Sequence, residues 1–202
     1  MATLQRMPAP ARRETILDTA IQLFSDRGFQ GTTTRELAAA VGVTEPVLYQ
    51  HFPAKSDLYS AIIERKIEQT GGLHNRLREL CEAQSSDSEF FLGIANLILE
   101  WHQDPTFIRL MLRSGLDGHE LSRIFFERMS CDYLDTIAAS IERRIAAGTL
   151  RQVEPSVAAY AFASMIGHYC LDKLLFPYKD LAGDDGVETM VDIFLGGLKK
   201  YA

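Results

Sequence analysis

From residue 11 to residue 201 apolar side chains return every third or fourth position, and no two segments alternate apolar with polar at period two. This repeat constrains the fold more than any other feature. A period of 3.6 gathers side chains on one face only when the backbone is helical, so the chain is expected to be all-α. Glycine, proline and short polar breaks cut the repeat into nine expected helices: 11–27, 34–40, 45–51, 55–81, 88–102, 105–114, 119–147, 154–176 and 185–201. Residues 1–10 carry prolines and no period, as a flexible arm would.

The third of these segments is odd. Val43-Thr44-Glu45-Pro46-Val47-Leu48-Tyr49-Gln50-His51-Phe52 holds a proline and β-branched residues, yet lies between good helix formers. Pro46 falls in the first turn, where an N–H lacks an intrahelical partner anyway, and Pro53 stops the helix at Phe52. Thr44 stands at its N-cap. The preceding helix opens on a capping box, Thr33 with Glu36, and ends before Gly42. Two helices this short are not stable alone. Joined by Val41-Gly42-Val43 they fit a helix-turn-helix, with Leu37, Ala38, Val41, Val43 and Leu48 turned inward. Thr44, Glu45, Val47, Tyr49, Gln50 and His51 then face outward. Such a face suits duplex DNA: Thr44 and Val47 for thymine methyls, Gln50 for a base edge, Tyr49 and His51 for phosphate oxygens.

The run GFQGTTTRELAAAVGVTEPVLYQHFPAKSDLYSAI resembles the DNA-binding domain of the tetracycline-repressor (TetR) family of transcriptional regulators. The resemblance runs through Gly28-Phe29, Thr33, Leu37-Ala38, Gly42-Val43-Thr44, Leu48-Tyr49, His51-Phe52, Lys55 and Leu58. It implies phosphate contacts from Thr33, Tyr49, His51 and Lys55, and base contacts from Arg35, Thr44, Glu45, Pro46, Val47 and Gln50. Two positions depart from the pattern. Glu45 stands where many relatives carry a basic or small polar residue, and Ala54 where a capping Ser, Asn or Gly is common. The implied organisation is a helix-turn-helix DNA-binding domain over 11–54, a connecting helix over 55–81, and a helical bundle over 82–202 that binds a small-molecule effector and forms a homodimer.

The remaining residues bear on that expectation independently. The segment PSVAAYAFASMIGHYCLDKLLF is apolar nearly all round, so one face must meet something beyond its own core. Ala159, Ala163, Ile166, Gly167, Cys170 and Leu174, with Val191, Phe194 and Leu198, are the expected dimer face. Trp101, His102, Phe107, Met111, Phe126, Met129, Tyr133, Met165, His168 and Tyr169 are the expected lining of an effector pocket, because aromatic and methionine side chains with a few polar tips suit small-molecule cavities; for each of them, His168 included, filling the core is the alternative.

Charge limits how DNA can be held. The chain carries a formal −6, and residues 1–70 hold eight basic and eight acidic side chains. Affinity must come from a few placed contacts, doubled in a dimer, not from a basic coat. Cys81, Cys131 and Cys170 lie far apart with no CxxC pair, which points to buried thiols in a reducing cytoplasm rather than disulfides or zinc. His168 with Asp172 and His102 near Asp104 are too few for a metal site. No nucleophile, phosphate-loop or dinucleotide motif occurs, so neither catalysis nor a cofactor is expected, and no run is apolar enough to span a membrane. The function expected is a repressor binding a palindromic operator as a dimer and released by an effector. An activator or ligand-independent regulator with the same head, or an all-α interaction protein that no longer binds DNA, are the alternatives.

Overall fold

The computed structural model describes residues 8–118, 132–176 and 185–199, and among them the only regular structure is helical. The helices are α1 (Ala9–Arg27), α2 (Thr34–Val41), α3 (Glu45–His51), α4 (Lys55–Glu82), α5 (Asp87–Trp101), α6 (Pro105–Leu116), α7 (Asp132–Ala147), α8 (Pro155–Leu175) and α9 (Gly186–Leu198). α1 begins at Ala9, two residues before the expected start: Pro10 sits in the first turn, where proline is tolerated. The part of the expected 119–147 helix before Asp132 lies outside the described residues.

The helices form two compact units. The first holds the described residues up to Gln69 together with those from Asp104 to Gly118; the second holds Thr70–Gln103 and the described residues from Asp132 onward. The sequence suggested linear breaks after 54 and after 81. Packing instead gives the first half of α4, and α6, to the N-terminal unit.

In the first unit, Ile16, Leu17, Ala20 and Phe24 of α1 are buried with Leu37, Leu48, Leu58, Tyr59, Ile62, Phe107 and Leu110. The rings of Phe24, Phe29 and Tyr59 meet at centroid distances of 5.5–5.6 Å. Burial pushes the Tyr59 hydroxyl up to about 12, against an opposing influence from the nearby Ser114 of α6. Arg65 of α4 reaches Glu14 at 3.1 Å and Asp18 at 2.8 Å on α1. Lys66 meets Asp104, the N-cap of α6, at 3.1 Å and lies over the Phe107 ring.

The second unit is built on aromatic packing. Phe91 of α5 touches Phe90, Phe162 of α8 and Phe194 of α9 at 4.9–5.2 Å. Ile94, Ala95, Ile137, Ile141, Ala159, Ile166, Val191, Leu195 and Leu198 surround this stack. Each fully buried phenylalanine contributes about 1.5–3 kcal/mol. Ser86 and Glu89 form a capping box at the start of α5, and Arg144 of α7 pairs with Asp87 at 2.7 Å. Arg151 donates through Nε to the Gly197 carbonyl at 2.7 Å and steadies the end of α9.

Candidate nucleic-acid interface

Two local devices form the head. The expected capping box at α2 is present: Thr33 Oγ1 accepts from the Glu36 N–H at 3.2 Å, and Glu36 Oε2 accepts from the Thr33 N–H at 2.9 Å. These bonds from Thr33 hold the Glu36 carboxyl below its ordinary range. At the other end Gly42 takes φ 79°, the left-handed conformation that glycine adopts without strain, and its N–H closes onto Ala38 and Ala39. The chain thus leaves α2 and enters α3 within three residues.

Helix α3 has seven residues, too few to persist without support. Leu48 is its anchor, 2% exposed. From α1, Arg13 donates to the His51 carbonyl at 3.2 Å and lays its guanidinium 4.2 Å over the Phe52 ring, setting a positive charge at the negative end of α3. Nothing local in the sequence marks Arg13 for this part, since its partner lies 38 residues away. Thr44 stands at the N-cap position with extended backbone, but its side chain makes no capping bond, contrary to expectation. Its hydroxyl is exposed on the outer face.

The outward set is as the spacing predicts in most respects. Tyr49 is 43% exposed, and Thr44, Pro46 and Gln50 are exposed; Glu45, Val47 and His51 are partly so. On α2, Thr33 and Arg35 are exposed. Glu45 and Tyr49 are not free of partners, however. Tyr49 donates to Thr34 Oγ1 at 3.3 Å, and Thr34 donates to Glu45 Oε2 at 3.0 Å.

Lys55 carries inward duties that the sequence did not announce. Its Nζ donates to the Phe29 carbonyl at 2.6 Å and the Thr32 carbonyl at 2.9 Å, and lies 4.1 Å over the Phe29 ring. Burial lowers its pKa. At the Ala54 position, Asp57 Oδ2 accepts from the Ala54 N–H at 2.9 Å, which supplies half of the cap the alanine lacks.

The other expected sites are divided by the fold. Of the pocket residues, Phe107 and Met111 belong to the first unit, and Trp101, His102, Tyr133, Met165, His168 and Tyr169 to the second. Phe126 and Met129 lie outside the described residues. His102 donates through Nδ1 to the Ile98 carbonyl at 2.7 Å; burial lowers its pKa, and that bond opposes the change. Burial raises the Tyr133 hydroxyl. His168 is neither a core histidine nor enclosed in the protomer: its side chain is 76% exposed, 3.7 Å from Asp172.

Most of the expected dimer face turns inward. Ala159, Ile166, Cys170, Val191 and Leu198 are buried in the protomer's own core. Phe194 packs on Phe91 and Phe162, and a Cβ on Gly167 would face the His102 ring at 4.0 Å. Ala163 and Leu174 are half-buried. The apolar residues left outside are Val157, Tyr160, Leu175 and Phe176 at α8 and Ile193 on α9. Val157, Tyr160, Ala161, Ser164, His168 and Leu175 follow one helical stripe.

A short helix braced at one leucine, offered by a glycine turn and showing polar tips to solvent, defines a helix-turn-helix DNA-binding protein. Known proteins agree. The family model for bacterial regulatory proteins of the tetR family matches residues 16–62, and that for the AefR-like transcriptional repressor C-terminal domain matches residues 95–197. The HTH-type transcriptional activator FasR of Mycolicibacterium smegmatis is 39% identical over 74 residues, 36% of this chain and 34% of that protein. The nucleoid occlusion factor SlmA of Haemophilus ducreyi is 30% identical over 165 residues, 78% of this chain and 79% of its own. The solved structure of AibR in complex with isovaleryl coenzyme A and operator DNA superposes with a TM-score of 0.65 at 22% identity, covering 93% of this chain and 98% of that one. The chain belongs to the tetR family and is a DNA-binding transcriptional regulator.

Proposed function

We propose that this regulator represses transcription as a homodimer on a palindromic operator and releases it when a small-molecule effector binds the C-terminal unit. The observation that carries this is the split on α3, where Leu48 is 2% exposed while its neighbour Tyr49 is 43% exposed beside exposed Gln50. On DNA, Arg35, Thr44, Glu45, Pro46, Val47 and Gln50 lie along the base edges. Thr33, Tyr49, His51 and the remaining proton of Lys55 meet phosphates. The outer stripe of α8 with Ile193 of α9 pairs two protomers, so that two heads meet half-sites about 34–36 Å apart. An effector that binds one arrangement of the dimer more tightly shifts the population away from the spacing DNA requires. AibR, with both a coenzyme A thioester and operator DNA in its structure, supports a regulator of this plan.

The test is a mobility shift of the DNA upstream of the chain's own coding region across a salt series. The logarithm of the affinity is expected to fall linearly with the logarithm of salt concentration, because neutralised phosphates release counterions. Absence of a complex at low salt, or binding indifferent to salt, overturns it. The resemblance of the head to an activator favours a second reading, activation through the same contacts. A reporter in a strain lacking the gene separates the two: transcription rises if the protein represses and falls if it activates.

A further inference from the structure

We infer that Thr34, which none of the expected contacts includes, is the positioning residue that sets Glu45 as a reader of an amino-bearing base, cytosine first, and that it holds Tyr49 in reserve for phosphate. The inference rests on the proposed DNA contacts and adds the part that aims them.

Thr34 is the first residue of α2 and Glu45 the first of α3; Tyr49 follows Glu45 by four, on the same face. The Thr34 hydroxyl has one proton. It goes to Glu45 Oε2 at 3.0 Å, since an ionised carboxylate accepts only. Thr34 therefore takes the Tyr49 proton on its lone pair, at a longer 3.3 Å.

Two consequences follow from the direction of the relay. Glu45 has one oxygen tied to α2 and the other turned loose, and a carboxylate oxygen can satisfy only a donor, such as the N4 amine of cytosine. Oxygen atoms at the same place, such as guanine O6 or thymine O4, are rejected. Tyr49 has a weak inner partner, so a phosphate oxygen can take its proton while Thr34 keeps Glu45 aimed. Without the hydroxyl at 34, the Glu45 carboxylate swings free, and base preference at its position decays while phosphate contacts persist.

The experiment selects bound duplexes from a library with a randomised core, using full-length protein. The wild type, Thr34→Val, Thr34→Ser and Glu45→Gln are compared by sequencing, with circular dichroism melts to confirm folding. The wild type is expected to enrich a palindrome with an amino base at one symmetric position, by on the order of tenfold. Thr34→Val should lose most of that preference and keep the others, Glu45→Gln should lose the same one, and Thr34→Ser should restore it. If Thr34→Val keeps the preference that Glu45→Gln loses, or weakens all sequences equally, the positioning role is overturned while DNA binding stands. If the wild type enriches nothing, the proposed operator binding falls, and this inference with it.

Discussion

The two units solve opposite problems with the same helical alphabet. The N-terminal unit must show polar groups in a fixed pattern, and it fixes them with directed bonds: the Thr33–Glu36 box, Arg13 on His51, Lys55 on Phe29 and Thr32, and Thr34 between Glu45 and Tyr49. The C-terminal unit packs Phe90, Phe91, Phe162 and Phe194 together and leaves apolar residues outside. Directed bonds tolerate little change in partner or angle. Apolar packing accepts many side chains so long as volume is kept. A reading head needs the first property, while the second suits a bundle proposed to pair with a copy and admit a ligand.

The strongest challenge to this contrast lies in the aromatic stack. Phe162→Ala should cost about 3–5 kcal/mol in urea unfolding, because the ring is fully buried and shared by Phe91 and Phe194. A loss under about 1 kcal/mol would mean that the stack does not hold the unit. Next comes the outer face. Tyr160→Glu with Ile193→Glu should raise the dimer dissociation constant at least about thirtyfold in sedimentation equilibrium, as for a central interface residue. The protomer's own stability should move by less than about 0.5 kcal/mol, since both residues are exposed. An unchanged association would place the interface elsewhere.

Lys55→Met probes the head in the same terms. It keeps the apolar stem and strands two carbonyls, so a loss of about 1–3 kcal/mol is expected. Stability equal to the wild type would show that the clamp is ornamental. The smallest effect concerns His102. Its folded pKa lies below its unfolded value, so the unfolded chain takes up the proton first, and stability present above an unfolded pKa of about 6.5 is lost as pH falls through the folded value. Melting temperature should drop between pH 7.5 and pH 5.5, less so in His102→Gln. Equal pH dependence in both proteins would remove His102 from the account.

Legibility in the sequence followed the same divide. The capping box, the Gly42 turn, the proline in the first turn of α3 and the Leu48 anchor each depend on residues within a few positions of one another, so their spacing announces them. Lys55 and Arg13 were not legible as braces. Their partners lie 23, 26 and 38 residues away, and a long flexible cation on paper looks the same whether it points to solvent, to phosphate or to a carbonyl. Thr34 was hidden by its neighbour, because the local pattern assigns the cap to Thr33 and leaves the next hydroxyl without a task.

Helix α8 shows the limit most plainly. Residue order alone is enough to establish that α8 is a helix, that it is apolar on nearly every side, and that a surplus of such surface remains. It is not enough to say which side turns inward, because a helix without an apolar stripe has no preferred rotation of its own. Packing settles that, by seating Phe162 against Phe91 and Phe194 and leaving Tyr160 outside. Helix formation follows from contacts within a turn, whereas the rotation of that helix follows from the shapes of partners far along the chain.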